Sequence, residues 1–227
     1  MKTALVAIAL AVAAVNAAAG SLTVTVTDRD GKPVPDVVVL VASPAKALAA
    51  SAVVTATIAQ EGLKFMPFLT VVQAGSTLRF INKDNYDHHV RSTPSGPLGG
   101  TPPVKTFEYR LDAAVSSADA APRSADRKPP SGMNSAEVKV DEPGAIGLGC
   151  HLHSSMRGQV YVSPTPWFAK TDANGTARIA NAPEGGVELS IWHPDQLQDQ
   201  ALQKLQLGAA ALAVNAQLNF SPKRRRG

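Results

Sequence analysis

The chain has 227 residues with one cysteine, five histidines and four methionines, and a formal net charge of +4 that the terminal "KRRR" at 223–226 matches by itself. With the body near neutral and no basic face in its pattern, nucleic-acid binding is not expected. One cysteine with no Cys-x2-Cys pair excludes an intramolecular disulfide, dithiol redox chemistry and c-type haem attachment, while the length allows one large or two small domains with real cores.

The chain opens with Lys2, an apolar stretch from Thr3 to Val15 and then "NAAAG", the pattern of a secretory signal peptide over 1–19 with a cut near Ala19. That run is too short to span a bilayer and no later stretch is longer, so an exported, soluble protein without stable membrane insertion is expected. "SLTVTVTD" and "VVVLVA" alternate or run apolar as strands, joined by turn chemistry in "RDGKPVPD". An alanine-rich link, "SPAKALAASA", precedes the strand candidates "FLTVVQAG" and "STLRFIN" and the polar turn "KDNYD", which runs into "HHVRS". "FEYRL" at 107–111 is a short strand candidate. Residues 112–135 carry almost nothing large and apolar, the composition of a disordered or loosely draped insertion.

"AEVKV", "GAIGLGC" and "GQVYV" resume the strands, and Asn174-Gly175 and Gly185-Gly186 mark turns between later ones. Only "DQLQDQALQKLQL", with leucines at 197, 202, 205 and 207, has helical spacing. The whole predicts an all-β fold of many short strands at sandwich spacing. A basic tail over 222–227 reads as a solvated end.

Chemistry concentrates in "GAIGLGCHLHSSMRG", residues 144–158. Cys150, His153 and Met156 stand at Cys-x2-His-x2-Met spacing on a tight loop between two strands, and His88 and His89 open another strand about sixty residues earlier. A thiolate and two imidazoles with a weak thioether form the ligand set of a type 1 copper site, because sulfur favours Cu(I) and imidazole tolerates Cu(II). Structural zinc wants four Cys or His ligands and catalytic zinc commonly uses three His or carboxylates, while thioether is a poor zinc ligand, so the Met argues against zinc. A lone exported thiol also needs an occupant in an oxidising compartment. Neighbours on a strand face opposite ways, so only one of His88 and His89 reaches such a metal, and His151 is expected to face solvent. His193 is expected to be structural or partner-facing.

"CHLHSSMRGQVYV" resembles the copper loop of the cupredoxins, with the short spacing found in amicyanin. "FMPFLTVVQAGSTLRFINKDNYDHHV" is similar to the cupredoxin run of Phe-x-Pro, a strand, Gly, a strand, Asn-x-Asp and His-x-Val. "GLGCHLH", the doubled "HHV" and the trailing "SIWHP" further resemble plastocyanin-like methylamine-utilisation proteins. The resemblance covers about 53–195 and implies a Greek-key sandwich holding one type 1 copper ion on His88, Cys150, His153 and, axially, Met156. His88 is preferred to His89 because the first residue of the family's His-Asn-Val is the ligand, which puts His89 where that Asn ties the two ligand loops together.

"VTDRDGKPVPDVVVLV" and "TDANGTARIANAPEGGVELSIWH" resemble the first hairpin and later strands of a carboxypeptidase-regulatory or transthyretin-like sandwich. That resemblance implies a discontinuous domain, 20–46 plus 164–221, with a cupredoxin domain over 53–163 inserted. The function then expected is a periplasmic carrier of single electrons between redox partner proteins, without enzyme activity of its own. Two alternatives stand beside it: a periplasmic copper-binding or copper-handling protein without redox turnover, and a non-metal interaction module.

Overall fold

The computed structural model describes residues 19–44, 53–114 and 133–223. Most of the leader, most of the alanine-rich link, the middle of the low-complexity insertion and the last four residues of the basic tail lie outside the described residues.

Among the described residues there are strands and turns but no helix. In chain order the first strands are β1 (Ala19–Thr27), β2 (Val38–Ala42), β3 (Thr55–Glu61), β4 (Lys64–Met66), β5 (Leu69–Gln73) and β6 (Ser76–Asn82). There follow β7 (His88–Thr93), β8 (Glu108–Leu111), β9 (Ser135–Val140), β10 (Gly144–Cys150) and β11 (Arg157–Ser163). The last are β12 (Phe168–Lys170), β13 (Thr176–Pro183), β14 (Gly185–Trp192), β15 (Gln203–Leu207) and β16 (Leu212–Gln217).

They form four sheets, ordered β13-β1-β16, β12-β2-β14-β15, β5-β11-β10-β7-β8 and β4-β3-β6-β9. The first two sheets enclose one core, in which Leu22, Val24 and Val26 of β1 meet Val39 and Val41 of β2 and Leu189 of β14. The other two enclose a second core around Ile58, Phe65, Leu78, Phe80, Ile146, Leu148 and Val160. Alternation accounts for most of both cores, as in β1 and β6, where every second residue is buried.

"VVVL" runs apolar without alternation because both faces of β2 are covered. Val39 and Val41 point into the first core, while Val38 and Leu40 meet Leu69 of β5 across the gap to the second pair of sheets. Phe68, Tyr161, Phe168 and Trp192 pack around that joint. Among the described residues no helix is long and apolar enough to cross a membrane.

Two expectations are corrected. The leucines of 195–207 build no helix. Leu205 and Leu207, two residues apart, face the first core from β15, which pairs with β14, while Leu197 and Leu202 are 71% and 60% exposed. A period of two therefore wins over the helical spacing, because pairing with the edge of β14 satisfies the backbone and at the same time turns Leu205 and Leu207 into the first core. Second, "RDGKPVPD" does not close a hairpin. β1 and β2 lie in different sheets, so the turn crosses between layers and lets both strands face one core. Asp28 shapes it by accepting the Asp30 and Lys32 N–H groups, with Gly31 at φ 79°.

The flanks of the low-complexity insertion are anchored. The Asp112 N–H donates to the Met133 carbonyl and that of Ala114 to the Asp84 carbonyl, while Ser135 already pairs with Ile81 in β9.

Candidate metal centre

His88 is the first residue of β7 and Cys150 the last of β10, and these strands are antiparallel neighbours with Cys150 opposite Val90. Sheet register thus brings the middle of the sequence to the cysteine. The link β10–β11, residues 151–156, folds back over the sheet end and carries His153 and Met156. The Met156 N–H donates to the His153 carbonyl, and Arg157 donates from its guanidinium to the Met156 carbonyl, closing the loop.

Three donor atoms converge. Cys150 Sγ lies 3.7 Å from His88 Nδ1 and 3.5 Å from His153 Nδ1, and the two Nδ1 atoms are 3.2 Å apart. Ligands held about 2.0–2.3 Å from a common ion at trigonal to tetrahedral angles are separated by roughly 3.3–3.8 Å, so the triangle has the size of a ligand set. His88 and Cys150 are buried and His153 half-buried. Met156 is 1% exposed and packs in the second core with Cys150.

The surroundings orient the donors. His88 Nε2 is 2.8 Å from Asp84 Oδ2. A carboxylate only accepts, so that contact places the imidazole proton on Nε2 and leaves the Nδ1 lone pair facing the sulfur. Asp84 is itself held: its Oδ1 accepts the Gly62 N–H at 2.8 Å, and Asn82 Oδ1 accepts its own N–H. Desolvation pushes the Asp84 carboxyl up, but hydrogen bonds from Gly62, His88 and Leu63 outweigh it and the net shift is downward. Asn82 spends its amide on the Tyr86 and Asp112 carbonyls, pinning the segment that carries Asp84 and Tyr86. Tyr86 presents its ring edge-on to both His88 and His153, at 5.2 and 5.4 Å between centroids. Burial, reinforced by the Asp84 carboxylate, raises the Tyr86 hydroxyl pKa.

The cysteine sulfur accepts the His89 N–H at 3.4 Å, and the His151 N–H donates to the His89 carbonyl at 2.9 Å. The two ligand segments are therefore joined through the main chain of His89, whatever its side chain. That side chain points outward to Glu108, and His151 is exposed. His193 is remote from the cluster and buried, where its Nδ1 accepts the Asp195 N–H.

Asp84 and Tyr86 were not singled out as site residues in the sequence, although "Asn-x-Asp" was visible there. The signal that could have marked Asp84 is a carboxylate in a polar turn four residues before a candidate ligand. The chemistry of the cluster, one thiol and two imidazoles in a largely buried setting, fits a copper or zinc ion, and a buried thioether in the same core fits copper better.

No family model matches the sequence, and comparison with curated proteins gives no match. Solved structures do show similarity. A purple cupredoxin from Nitrosopumilus maritimus is 19% identical, with 48% of this chain and 99% of that one covered at a TM-score of 0.35. An amicyanin variant in its Cu(I) form is 17% identical over 48% of this chain and 82% of its own, at 0.32. A copper-containing nitrite reductase from Thermus scotoductus SA-01 is 20% identical over 53% of this chain and 24% of its own, at 0.33.

Proposed function

We propose that His88, Cys150, His153 and Met156 hold one type 1 copper ion in a cupredoxin-type sandwich, and that the chain carries single electrons between periplasmic redox proteins. The observation that carries this reading is the triangle of one sulfur and two Nδ1 atoms, with edges of 3.2–3.7 Å, at the end of a packed β core. Copper in such a set would supply a one-electron Cu(I)/Cu(II) couple.

The protein's own contribution is to keep the donors still. Asp84 fixes the His88 ring, the His89 N–H holds the sulfur, and the Met156 and Arg157 contacts close the loop. A site that does not rearrange between oxidation states exchanges electrons quickly. Tyr86 and the core limit water on the inner side, while half-buried His153 offers the way out toward a partner. No feature of the site calls for methylamine chemistry in particular, and an electron carrier needs no substrate pocket, so no enzyme activity is assigned.

We also propose that 53–163 is a domain inserted into a sandwich made of 20–46 and 164–221. The support is the pairing of β1 with β13 and β16, of β2 with β12 and β14, and the separate core that these strands share.

Copper(II) added to the purified mature chain is expected to give an intense visible thiolate-to-copper band and a reversible redox wave, both lost in Cys150→Ala. A colourless response would overturn the copper reading and leave the interaction module. Colour without a wave, with ready transfer of copper to a chelator, would favour copper handling.

A further inference from the structure

His89 and His151 take no part in the inner cluster, yet they stand together just outside it. Strand alternation turns His89 to the outer face, where its Nε2 lies 3.0 Å from Glu108 Oε1. The His151 ring lies beside it, 5.5 Å between centroids with planes at 54°, close to the 4.9 Å and 68° of the inner pair His88 and His153. The backbone fixes all three positions. The His151 N–H is bonded to the His89 carbonyl, and Glu108 sits on β8, paired through Arg91 to the strand that bears His89.

We propose that His89, His151 and Glu108 form a second, solvent-facing site for a divalent transition cation, copper(II) or zinc(II), distinct from the cysteine-bearing cluster. Two imidazoles and a carboxylate without sulfur suit those ions and give Cu(I) little. The 3.0 Å contact between Nε2 and Oε1 is a hydrogen bond with the proton on Nε2; a cation that displaces this proton to solvent meets two donors already at the spacing of adjacent ligands, since two donors at about 2.1 Å and a right angle stand roughly 3.0 Å apart. His151, exposed and with its ring against that of His89, would close the trio by a side-chain rotation toward them. Two cations share this face. Arg110 is committed to Asp87 at 2.8 Å, and Arg91, opposite Glu108, carries a charge that opposes a bound cation. Because the His89 main chain touches both Cys150 Sγ and His151, an ion here would sit one residue from the inner cluster along both β7 and the β10–β11 link.

The test is titration of copper(II) into the full mature chain without an affinity tag, followed by calorimetry and paramagnetic resonance. The intact chain is expected to take two equivalents, the second giving the wide hyperfine splitting of nitrogen and oxygen ligands without a thiolate band. His151→Ala and Glu108→Gln, both surface changes, are each expected to weaken the second equivalent by about tenfold or more and to leave the first one's colour in place. Cys150→Ala is expected to keep the outer equivalent, so failure of the inner copper reading would not be mistaken for failure of this one. Saturation of the intact chain by one equivalent, or a second equivalent held equally well by both surface variants, would overturn the proposal.

Discussion

Asp84 stands one hydrogen bond behind His88, and its negative charge favours the more positive state of any ion that His88 binds. Asp84→Asn removes the charge while keeping an acceptor, and Asp84→Ala removes both. The expected outcome is a higher reduction potential in both variants and a loss of copper affinity of about 10–100-fold in the alanine variant, read by voltammetry and competition with a chelator. Unchanged potentials would mean that the contact only packs the turn at Gly62. At this scale the cluster was largely legible in the sequence. Cys150 and His153 stand out by their short spacing, while alternation says only that one of His88 and His89 turns inward, and the preference for His88 rests on the resemblance. Asp84 was not legible as a site residue, because its meaning depends on a turn that swings it back onto the ring of a residue four positions on.

Strand β10 shows how an element can be specified by what it lacks. An added Cβ at Gly147 would stand 2.6 Å from both the Pro94 carbonyl oxygen and Thr93 Oγ1, so the neighbouring backbone would have to retreat. Glycine inside a strand often marks such a close approach. Gly147→Ala is expected to cost about 1–3 kcal/mol through overpacking, measured by urea unfolding. Gly186→Ala, where the nearest atom is a Gln206 side-chain oxygen at 3.7 Å, should change stability far less. Equal effects would argue against steric crowding at β10. The strands themselves were legible wherever apolar residues alternated, as in "SLTVTVTD". The segment 195–207 misled because leucines at 202 and 205 satisfy a helical period, while the choice between periods is made by β14, whose open edge the local sequence does not contain.

At the scale of the whole molecule, two cores meet at a joint in which, among the described residues, Val38, Leu40 and Leu69 form the buried apolar cluster. A joint that small couples two packed units weakly, so unfolding is expected to depart from a single two-state transition. The chain provides separate reporters. Trp167 lies in the first core and Trp192 beside the joint, so Trp192→Phe leaves fluorescence that follows the first core alone. Cys150, 3% exposed, becomes reactive toward a thiol reagent only when the second core opens. The two denaturation midpoints are expected to differ, and Leu69→Ala, which empties the joint, should hold them apart. Copper sharpens the contrast, because a ligand that binds only the native form of one unit stabilises that unit by mass action. Added copper should raise the midpoint followed at the site and leave the Trp167 midpoint where it was. If both curves moved together, the joint would be transmitting stability between the cores, and the inserted-domain proposal would give way to one cooperative fold.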